Sequence, residues 1–88
     1  MDLRLTISAG EPYHAVAGEL AGKFAEYSGA GPEAAGEFGK QIEGLAAKLG
    51  AGAPDESIAL VMEARERELT VAATSGRRRE QATCPLPA

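Results

Sequence analysis

The stretch from Gly31 to Gly50 constrains the fold most, because the start, the buried face and the end of a helix are all recognisable in it. Pro32 suits the first helical position, where its missing N–H costs no hydrogen bond, and Glu33 places negative charge at the positive end of the helix dipole. Lys48 falls in the predicted last turn, and Gly50 suits the left-handed residue that caps a helix. The sequence therefore predicts one complete helix here.

The apolar residues of this helix predict the face that it buries. They recur at spacings of three and four, at Ala35, Phe38, Ile42, Leu45 and Leu49. Gly36, Gly39 and Gly44 oppose the helix, since each costs roughly 1 kcal/mol relative to Ala in a helix interior. Tertiary packing must therefore hold the helix, either by a very close neighbour or around something that needs room.

The residues before this helix predict a strand and a second helix. Apolar side chains alternate with polar ones at Leu3, Leu5 and Ile7, which is the period of a strand with one buried face. Pro12 then suits the start of a helix that ends at Ser28-Gly29. Its predicted apolar stripe consists of Tyr13, Val16, Ala17, Leu20, Phe24 and Tyr27. Gly18 and Gly22 belong to a separate strip of small residues, of the kind that lets another element approach closely.

The C-terminal half predicts three consecutive strands after a loop at Ala51 to Glu56. Ser57 to Ala64 is apolar at odd and even positions, which favours an interior strand covered at least partly on both sides. The later predicted segments are a turn at 65–68, a strand at 69–74, a turn at 74–77 and a polar edge strand at 79–84 that Pro85 and Pro87 end.

The resulting order is strand, helix, helix, strand, strand, strand. Two amphipathic helices need one shared apolar surface, and strands with one apolar face supply it. We therefore predict an α+β fold, a two-layer sandwich with both helices on one face of a mixed or antiparallel sheet. The 88 residues suffice for one small domain, residues 1–88. The opposite sheet face should be polar and show Arg4, Thr6, Ser8 and Thr70 to water or to a partner.

Charge and composition exclude several classes of function. Residues 1–64 hold four Lys/Arg against ten Asp/Glu, whereas residues 65–88 hold five Arg against three Glu. An acidic body argues against nucleic-acid binding, which needs a basic face to neutralise phosphates. The first residues lack an unbroken apolar run, so we expect no signal peptide, no membrane span and a cytoplasmic location. One His and one Cys cannot form a protein-only zinc site.

Two segments together resemble a known family. The first half of the histidine-kinase-like ATPase domains, particularly of the short anti-sigma-factor serine kinases, is similar to the segment LRLTISAGEPYHAVAGELAGKFAEYSGAGPEAAGEFGKQIEGLAAKLG. The hairpin that follows in that family is similar to the segment IALVMEARERELTVAATSG. The resemblance implies the same strand, long helix, turn and second helix. The family's glycine-rich lid and last strands have no counterpart in the chain.

The resemblance also implies which positions would face a nucleotide. Glu43 matches the Glu of the family's second helix, but Ala47 stands at its magnesium-binding Asn. The family's adenine-recognising Asp-x-Gly is matched by Thr74, Ser75 and Gly76, so the Asp is missing. Mg-ATP needs oxygen ligands for the cation, and an alanine supplies none. The implied protein is a shortened, degenerate relative that keeps the scaffold, with vestigial positions and no cofactor.

Four features compete as candidate sites. Arg77, Arg78 and Arg79 would clamp a carboxylate-rich or phosphorylated partner through bidentate pairs, or they form a solvated turn that keeps an edge strand from aggregating, and both interpretations stay open. A second docking face would comprise Ser8, Thr70, Ala72 and Thr74, although an open sheet face is also normal. His14 is interpreted as a surface histidine of the first helical turn, and Cys84 as an incidental thiol.

Three hypotheses of function follow. The first is a non-catalytic regulatory module of bacterial-type signalling that binds another protein, with a homodimer or a tight complex as its expected state and no nucleic acid or membrane as partner. The alternative is an atypical ATP-binding protein or kinase-like enzyme that uses Glu43, Thr74 and the three arginines. A third is a small-ligand site between the glycine-rich helix and the loop at Ala51 to Glu56.

Overall fold

Four strands and two helices follow one another in the predicted order. The computed structural model describes residues 2–8, 10, 13–51 and 56–86. Its elements are β1 (Asp2–Ser8), α1 (Tyr13–Tyr27), α2 (Pro32–Gly50), β2 (Ser57–Ala64), β3 (Glu68–Ser75) and β4 (Arg78–Pro85). Pro12, residues 52–55 and Pro87, for which the sequence predicted a helix start, a loop and a strand end, lie outside the described residues. The α+β prediction is confirmed.

The sheet is antiparallel throughout and has the strand order β1-β2-β3-β4. Both helices cover one face, where α2 lies over β3 and β4 and reaches β2, while α1 packs mainly on α2 and reaches β1. The largest fully buried side chains beneath them are Ile58, Leu60 and Met62 of β2 and Leu69 and Val71 of β3. These strands alternate buried and exposed side chains, so the core lies between the sheet and the helices.

The other sheet face is open, as predicted. Arg4, Thr6 and Ser8 are exposed there, and Thr70 is half-buried. The prediction that β2 is covered at least partly on both sides holds at Val61, which is half-buried on the open face, whereas Ala59 on the same face is exposed. The interior position of β2 is nevertheless confirmed, since it pairs with β1 and β3. The apolar residues on its second face are small, so their exposure to water costs little.

The prediction of α2 is confirmed at its start and on its buried face. Pro32 occupies the first turn, after Gly31 in an extended conformation, and Glu33 is the acidic residue of that turn. The predicted stripe is buried at Ala35, Phe38, Ile42 and Leu49 and half-buried at Leu45.

The end of α2 differs from the prediction. Gly50 is helical rather than left-handed, and Ala51 follows with an extended backbone at φ −66°. The guanidinium of Arg78 instead donates hydrogen bonds to the carbonyl oxygens of Lys48, at 2.6 Å, and Ala51, at 3.1 Å. A cation from β4 therefore satisfies the carbonyl end of the helix, and no left-handed glycine is required.

The predicted buried stripe of α1 is wrong for most of its members. The buried residues of α1 are Ala17, Gly18, Ala21 and Ala25. Tyr13, Val16, Leu20 and Tyr27 are exposed, and Phe24 is half-buried. The small-residue strip has turned toward the rest of the protein because it allows a shorter distance between the two helices than large side chains would.

The close approach of α1 and α2 depends on three glycines. A Cβ at Gly18 would lie 2.6 Å from the Gly39 carbonyl oxygen, and a Cβ at Gly39 would lie 2.8 Å from the Gly18 carbonyl oxygen. A Cβ at Gly22 would lie 3.2 Å from the Ala35 carbonyl oxygen. The close-packing interpretation is thus confirmed for Gly39, whereas a Cβ at Gly36 or Gly44 would meet no atom of another element within 4 Å.

Two of the turns need glycine for their backbone. Gly29, between the helices, has φ +111°, and Gly76, in the β3–β4 hairpin, has φ +60°. Ser75 pairs with Arg78, so Gly76 is the first residue of a two-residue hairpin loop, a position that requires positive φ in a type II′ turn. The predicted turn between β2 and β3 is present and closes with a hydrogen bond from the Arg65 amide to the Glu68 carbonyl.

Candidate functional site

The three consecutive arginines do not share one face of the protein. Arg78 lies on the helix side of β4 and contacts the carboxyl end of α2. Arg79 lies on the open sheet face, opposite Thr74, and Arg77 is exposed in the hairpin loop. Strand alternation separates neighbours in this way. Of these three arginines, Arg77 and Arg79 therefore present guanidinium groups to a partner, and their role in binding stays a prediction.

The positions that match the nucleotide site of the resembled family also lie apart. Glu43 and Ala47 are exposed on α2, whereas Thr74 is exposed on the opposite, open face of the sheet. Gly76 lies in the hairpin loop, where a Cβ would come within 3.1 Å of the Glu56 carboxylate, and the hydroxyl of Ser75 lies 3.3 Å from the same carboxylate. The sheet thus separates Thr74 from Glu43.

An open groove of about 470 Å³ runs between α1 and α2 on their outer side. Its floor is made by the glycines and alanines of the helix contact. Its charged residues are Glu19, Lys23, Glu26, Lys40 and Glu43. Three carboxylates against two ammonium groups do not favour a triphosphate. The predicted ligand cleft beside Ala51 to Glu56 is a different place, and residues 52–55 of that loop lie outside the described residues.

Large apolar side chains are exposed in a row along α1. We call this row the α1 flank, and it consists of Tyr13, Val16, Leu20 and Tyr27. Tyr13 is 44% exposed, Val16 39%, Leu20 37% and Tyr27 79%. At about 100° per residue, Leu20 lies about 200° around the helix from Gly18, which contacts α2. The α1 flank therefore faces away from α2.

The strand beneath α1 continues this apolar surface. Leu3, on the helix side of the edge strand β1, is 36% exposed, while Met62 beside it in β2 is fully buried. Reasoning from sequence assigned the α1 flank to the core. The strip of Gly18 and Gly22 indicated the observed orientation of α1, in which the small residues pack against α2. Only one of two opposite faces of α1 can approach α2, so the α1 flank is left outside.

A cluster of charges fixes the start of β1. The guanidinium of Arg65 lies 3.0 Å from the Asp2 carboxylate and 2.7 Å from the Glu63 carboxylate. The hydrogen bond from Arg65 is the main reason that the pKa of Asp2 lies below its ordinary value. The same pairing raises the pKa of Arg65. These exposed contacts position the strand end and include no group with the surroundings of a nucleophile or general base.

The remaining reactive residues do not form a cluster. Cys84 is buried, and its burial raises the pKa of the thiol. His14 is half-buried in the first turn of α1. Within residues 2–8, 10, 13–51 and 56–86, no three His, Cys, Asp or Glu side chains lie together as metal ligands would. The described helices include none that is long and apolar enough to cross a membrane.

No protein-family model matches the chain, and no curated protein sequence matches it.

Proposed function

We propose that this protein is a non-catalytic interaction module that acts by binding another protein, on a degenerate scaffold of the anti-sigma-factor-kinase type. The observation that carries the proposal is the α1 flank. Full burial of a Val, Leu or aromatic side chain contributes about 1.5–3 kcal/mol, and only the exposed part of each flank side chain, 37–44% for three of them and 79% for Tyr27, could still contribute on binding. Large apolar patches on soluble proteins typically mark interaction sites.

The non-catalytic part of the proposal is supported by the chemistry of the positions that resemble a nucleotide site. Ala47 offers no oxygen to a metal ion, and Thr74 offers no carboxylate to an adenine amino group. The groove beside Glu43 carries more carboxylates than ammonium groups. A cytoplasmic location belongs to the same proposal and is a prediction from the sequence.

The partner-binding part is tested with two matched variants of α1. Leu20→Glu places a charge on the α1 flank, whereas Ala15→Glu places the same charge on the exposed groove side of the same helix. We expect a partner captured by the wild type to be retained by Ala15→Glu and lost by Leu20→Glu, with both variants folded by circular dichroism. Equal retention by the two variants would contradict the α1 flank as the binding surface.

The arginines require a separate pair of variants. Arg77 and Arg79 changed together to Ala remove the two guanidinium groups that face outward, and they leave the contact of Arg78 with α2 intact. If the partner were lost in this double variant but retained by Leu20→Glu, the binding site would lie at the hairpin end of the open sheet face and not on the α1 flank.

The alternative, an atypical ATP-binding protein, is tested by thermal unfolding with and without Mg-ATP. A ligand at a hundred times its Kd stabilises a protein by about 2.7 kcal/mol, which is about 10 °C or more in Tm for a domain of this size. We expect no shift. A saturable rise in Tm that Glu43→Gln abolishes would replace the non-catalytic proposal by the nucleotide-binding alternative.

A further inference from the structure

The hairpin end of the open sheet face carries side-chain donors that the fold does not use. Thr74 of β3 pairs with Arg79 of β4, and Arg77 lies in the two-residue loop between these strands. All three residues are exposed. Within the part of the chain that the structure describes, their side chains make no hydrogen bond and no ion pair. The two guanidinium groups and the hydroxyl are therefore available to a ligand.

The hairpin register brings these donors close together. Ser75 and Arg78 close the two-residue loop, and the closing pair of such a hairpin is hydrogen-bonded. Thr74 and Arg79 thus form the next, non-hydrogen-bonded pair, in which the Cα atoms are about 4.5 Å apart and the side chains approach each other most closely. Arg77 precedes Arg79 by only two residues, which span at most about 7 Å of chain. The three side chains can therefore converge on one group above the sheet.

The surface beside this point is low. Ala59 of β2 lies next to Thr74 in the sheet, and Ala72 precedes Thr74 by two residues on the same face. An alanine side chain extends only as far as its Cβ, so an anion can approach the guanidinium groups from the open side without displacing a large side chain. The site is thus shallow and accessible.

The carboxylates near the hairpin are held on the helix side of the sheet. Glu56 accepts a hydrogen bond at 3.3 Å from the hydroxyl of Ser75, which is buried on that side. Glu80, the neighbour of Arg79 in β4, forms an ion pair with Lys48 of α2 at 3.1 Å. These contacts leave the positive charges of the open face without a carboxylate across the strand pair.

The carboxylates of the open face lie at its other end. Asp2 and Glu63 form ion pairs with Arg65 at 3.0 and 2.7 Å. Glu63 is opposite Thr70, which precedes Thr74 by four residues, so about 13 Å of strand separates the two positions. The hairpin end of the open face is therefore locally positive in a protein whose net charge is −4.

The donors fit a phosphate monoester better than a carboxylate. Each guanidinium group donates two parallel hydrogen bonds to an oxyanion. A carboxylate offers two oxygens and one negative charge, which a single guanidinium group already matches. A phosphate monoester offers three terminal oxygens and carries a charge of about −1.5 to −2 at neutral pH. Two guanidinium groups and a hydroxyl match this larger number of acceptors and the second charge.

Nucleic acid is a poorer match, although it also carries phosphate groups. Single strands bind by stacking their bases on aromatic side chains, and every aromatic residue of the chain lies in α1 or α2 rather than in the sheet. A polyanion would also be repelled by the acidic body of the protein. The chemistry of the hairpin end thus favours one isolated phosphoryl group.

We propose that Arg77, Arg79 and Thr74 form a binding site for a phosphate monoester, of the kind carried by a phosphorylated serine or threonine side chain. Binding is reversible and involves no chemical step. The inference goes beyond the proposed function, because the α1 flank belongs to the helix layer and this site lies on the other side of the sheet. The two surfaces can therefore be occupied independently.

The experiment is an NMR titration of the isotope-labelled protein at neutral pH with a capped peptide, acetyl-Gly-phosphoserine-Gly-amide. We expect saturable shifts centred on the amides of residues 74–79. Arg77→Gln and Arg79→Gln should each weaken binding by at least about tenfold, because each removes charge-assisted hydrogen bonds. Both positions are exposed, and Arg78, which contacts α2, is unchanged in both variants.

The matched control is Arg67→Gln, which removes the same charge from an exposed position in the turn between β2 and β3. Its Kd should equal that of the wild type. An equal loss of binding in Arg67→Gln would mean attraction by net charge and would overturn the site. Absence of saturable shifts up to about 20 mM peptide, a range that includes weak complexes, would also overturn it.

The choice of a phosphate monoester is tested with a second peptide, acetyl-Gly-Glu-Gly-amide, which should bind at least about tenfold more weakly. Equal binding of the two peptides would contradict that choice. Inorganic phosphate distinguishes the sources of the group. Tighter binding of the phosphoserine peptide than of inorganic phosphate would assign the site to a phosphorylated polypeptide, whereas equal binding would assign it to the phosphoryl group alone, as in a small metabolite.

Leu20→Glu separates this site from the proposed function. The substitution changes the α1 flank and should leave binding of the phosphoserine peptide as it is in the wild type. Loss of the peptide in Leu20→Glu would contradict the independence of the two surfaces. Failure of the phosphate site would leave the capture of a partner by the α1 flank untouched, and the reverse also holds.

Discussion

The contact between α1 and α2 allows a sharp test of the packing, since glycines of the same helices differ only in what surrounds them. Gly18→Ala would place a Cβ 2.6 Å from the Gly39 carbonyl oxygen and 3.0 Å from the Glu43 Cβ. Ordinary contacts of this kind begin at 3.4 Å, so the helices must separate by about 0.8 Å. Gly44→Ala meets no atom within 4 Å and serves as the matched control.

The magnitudes follow from two opposing effects. Alanine is favoured over glycine by about 1 kcal/mol in a helix interior, and Gly44→Ala should gain this in full. Overpacking of a tight contact costs about 1–3 kcal/mol, and a gap approaching 1 Å forfeits a quarter to a half of the dispersion energy of the facing atoms. We therefore expect the overpacking to cancel or outweigh the better helix propensity, so that Gly18→Ala destabilises the protein by up to about 2 kcal/mol net.

The assay is chemical denaturation with urea, which gives the free energy of unfolding and its slope for the wild type and both variants. Because both substitutions gain the same helix propensity, they should differ by the overpacking cost of about 1–3 kcal/mol, or at least about 4 °C in Tm for a domain of this size. Gly39→Ala should resemble Gly18→Ala, because its Cβ would lie 2.8 Å from the Gly18 carbonyl oxygen. If Gly18→Ala stabilised the protein as much as Gly44→Ala, the close helix contact would be refuted.

Two further predictions concern charged groups. Arg78→Ala removes two hydrogen bonds to the carboxyl end of α2 and should lower the free energy of unfolding by about 1 kcal/mol. Arg77→Ala, in the same hairpin, should change the free energy of unfolding by less than about 0.5 kcal/mol. Equal effects of the two substitutions in urea denaturation would contradict the capping role of Arg78. The carboxyl of Asp2 should titrate below its ordinary pKa in carbon-detected NMR, and Arg65→Ala should raise that pKa. Because the folded pKa is the lower one, the pair stabilises the fold above the unfolded pKa of an aspartate, and this contribution is lost as the pH falls through the folded pKa. An unchanged Asp2 titration in Arg65→Ala would contradict the pairing.

Local sequence signals were sufficient to predict the start and the buried face of α2 and the order of the helices and strands. Pro32, Glu33 and the stripe from Ala35 to Leu49 act within one helix, so their meaning does not depend on distant parts of the chain. The end of α2 was not predictable in this way. The group that caps its carbonyl oxygens is Arg78, which the chain brings back from β4.

The orientation of α1 could not be chosen from α1 alone. The helix has an apolar face of large residues and a face of small ones, and hydrophobicity favours burial of the first. The small face was buried because Gly39 of α2 offers a backbone that Gly18 can approach. Only comparison of the glycine positions in both helices would have indicated this pairing, and with it the exposed α1 flank.

The separation of the three arginines onto different faces could not be predicted from their adjacency, for a related reason. Three adjacent arginines suggest one basic cluster, but residues of a strand alternate between faces. Once Ser75 pairs with Arg78, the hairpin register assigns Arg78 to the helix side and Arg79 to the open face. A register shifted by one residue would have reversed both assignments.

The pairing of β1 with β2 has a consequence for the order of folding. Ser8 pairs with Ser57, so closing this pair brings together strands that both helices separate in the chain. The other units, the two-helix hairpin and the meander of β2, β3 and β4, are closed by short connections. Loop-closure entropy makes long-range pairing slow relative to local contacts. β1 is thus expected to join the sheet last and to leave it first, so that a substitution that weakens only its pairing with β2 would speed unfolding more than it slows folding.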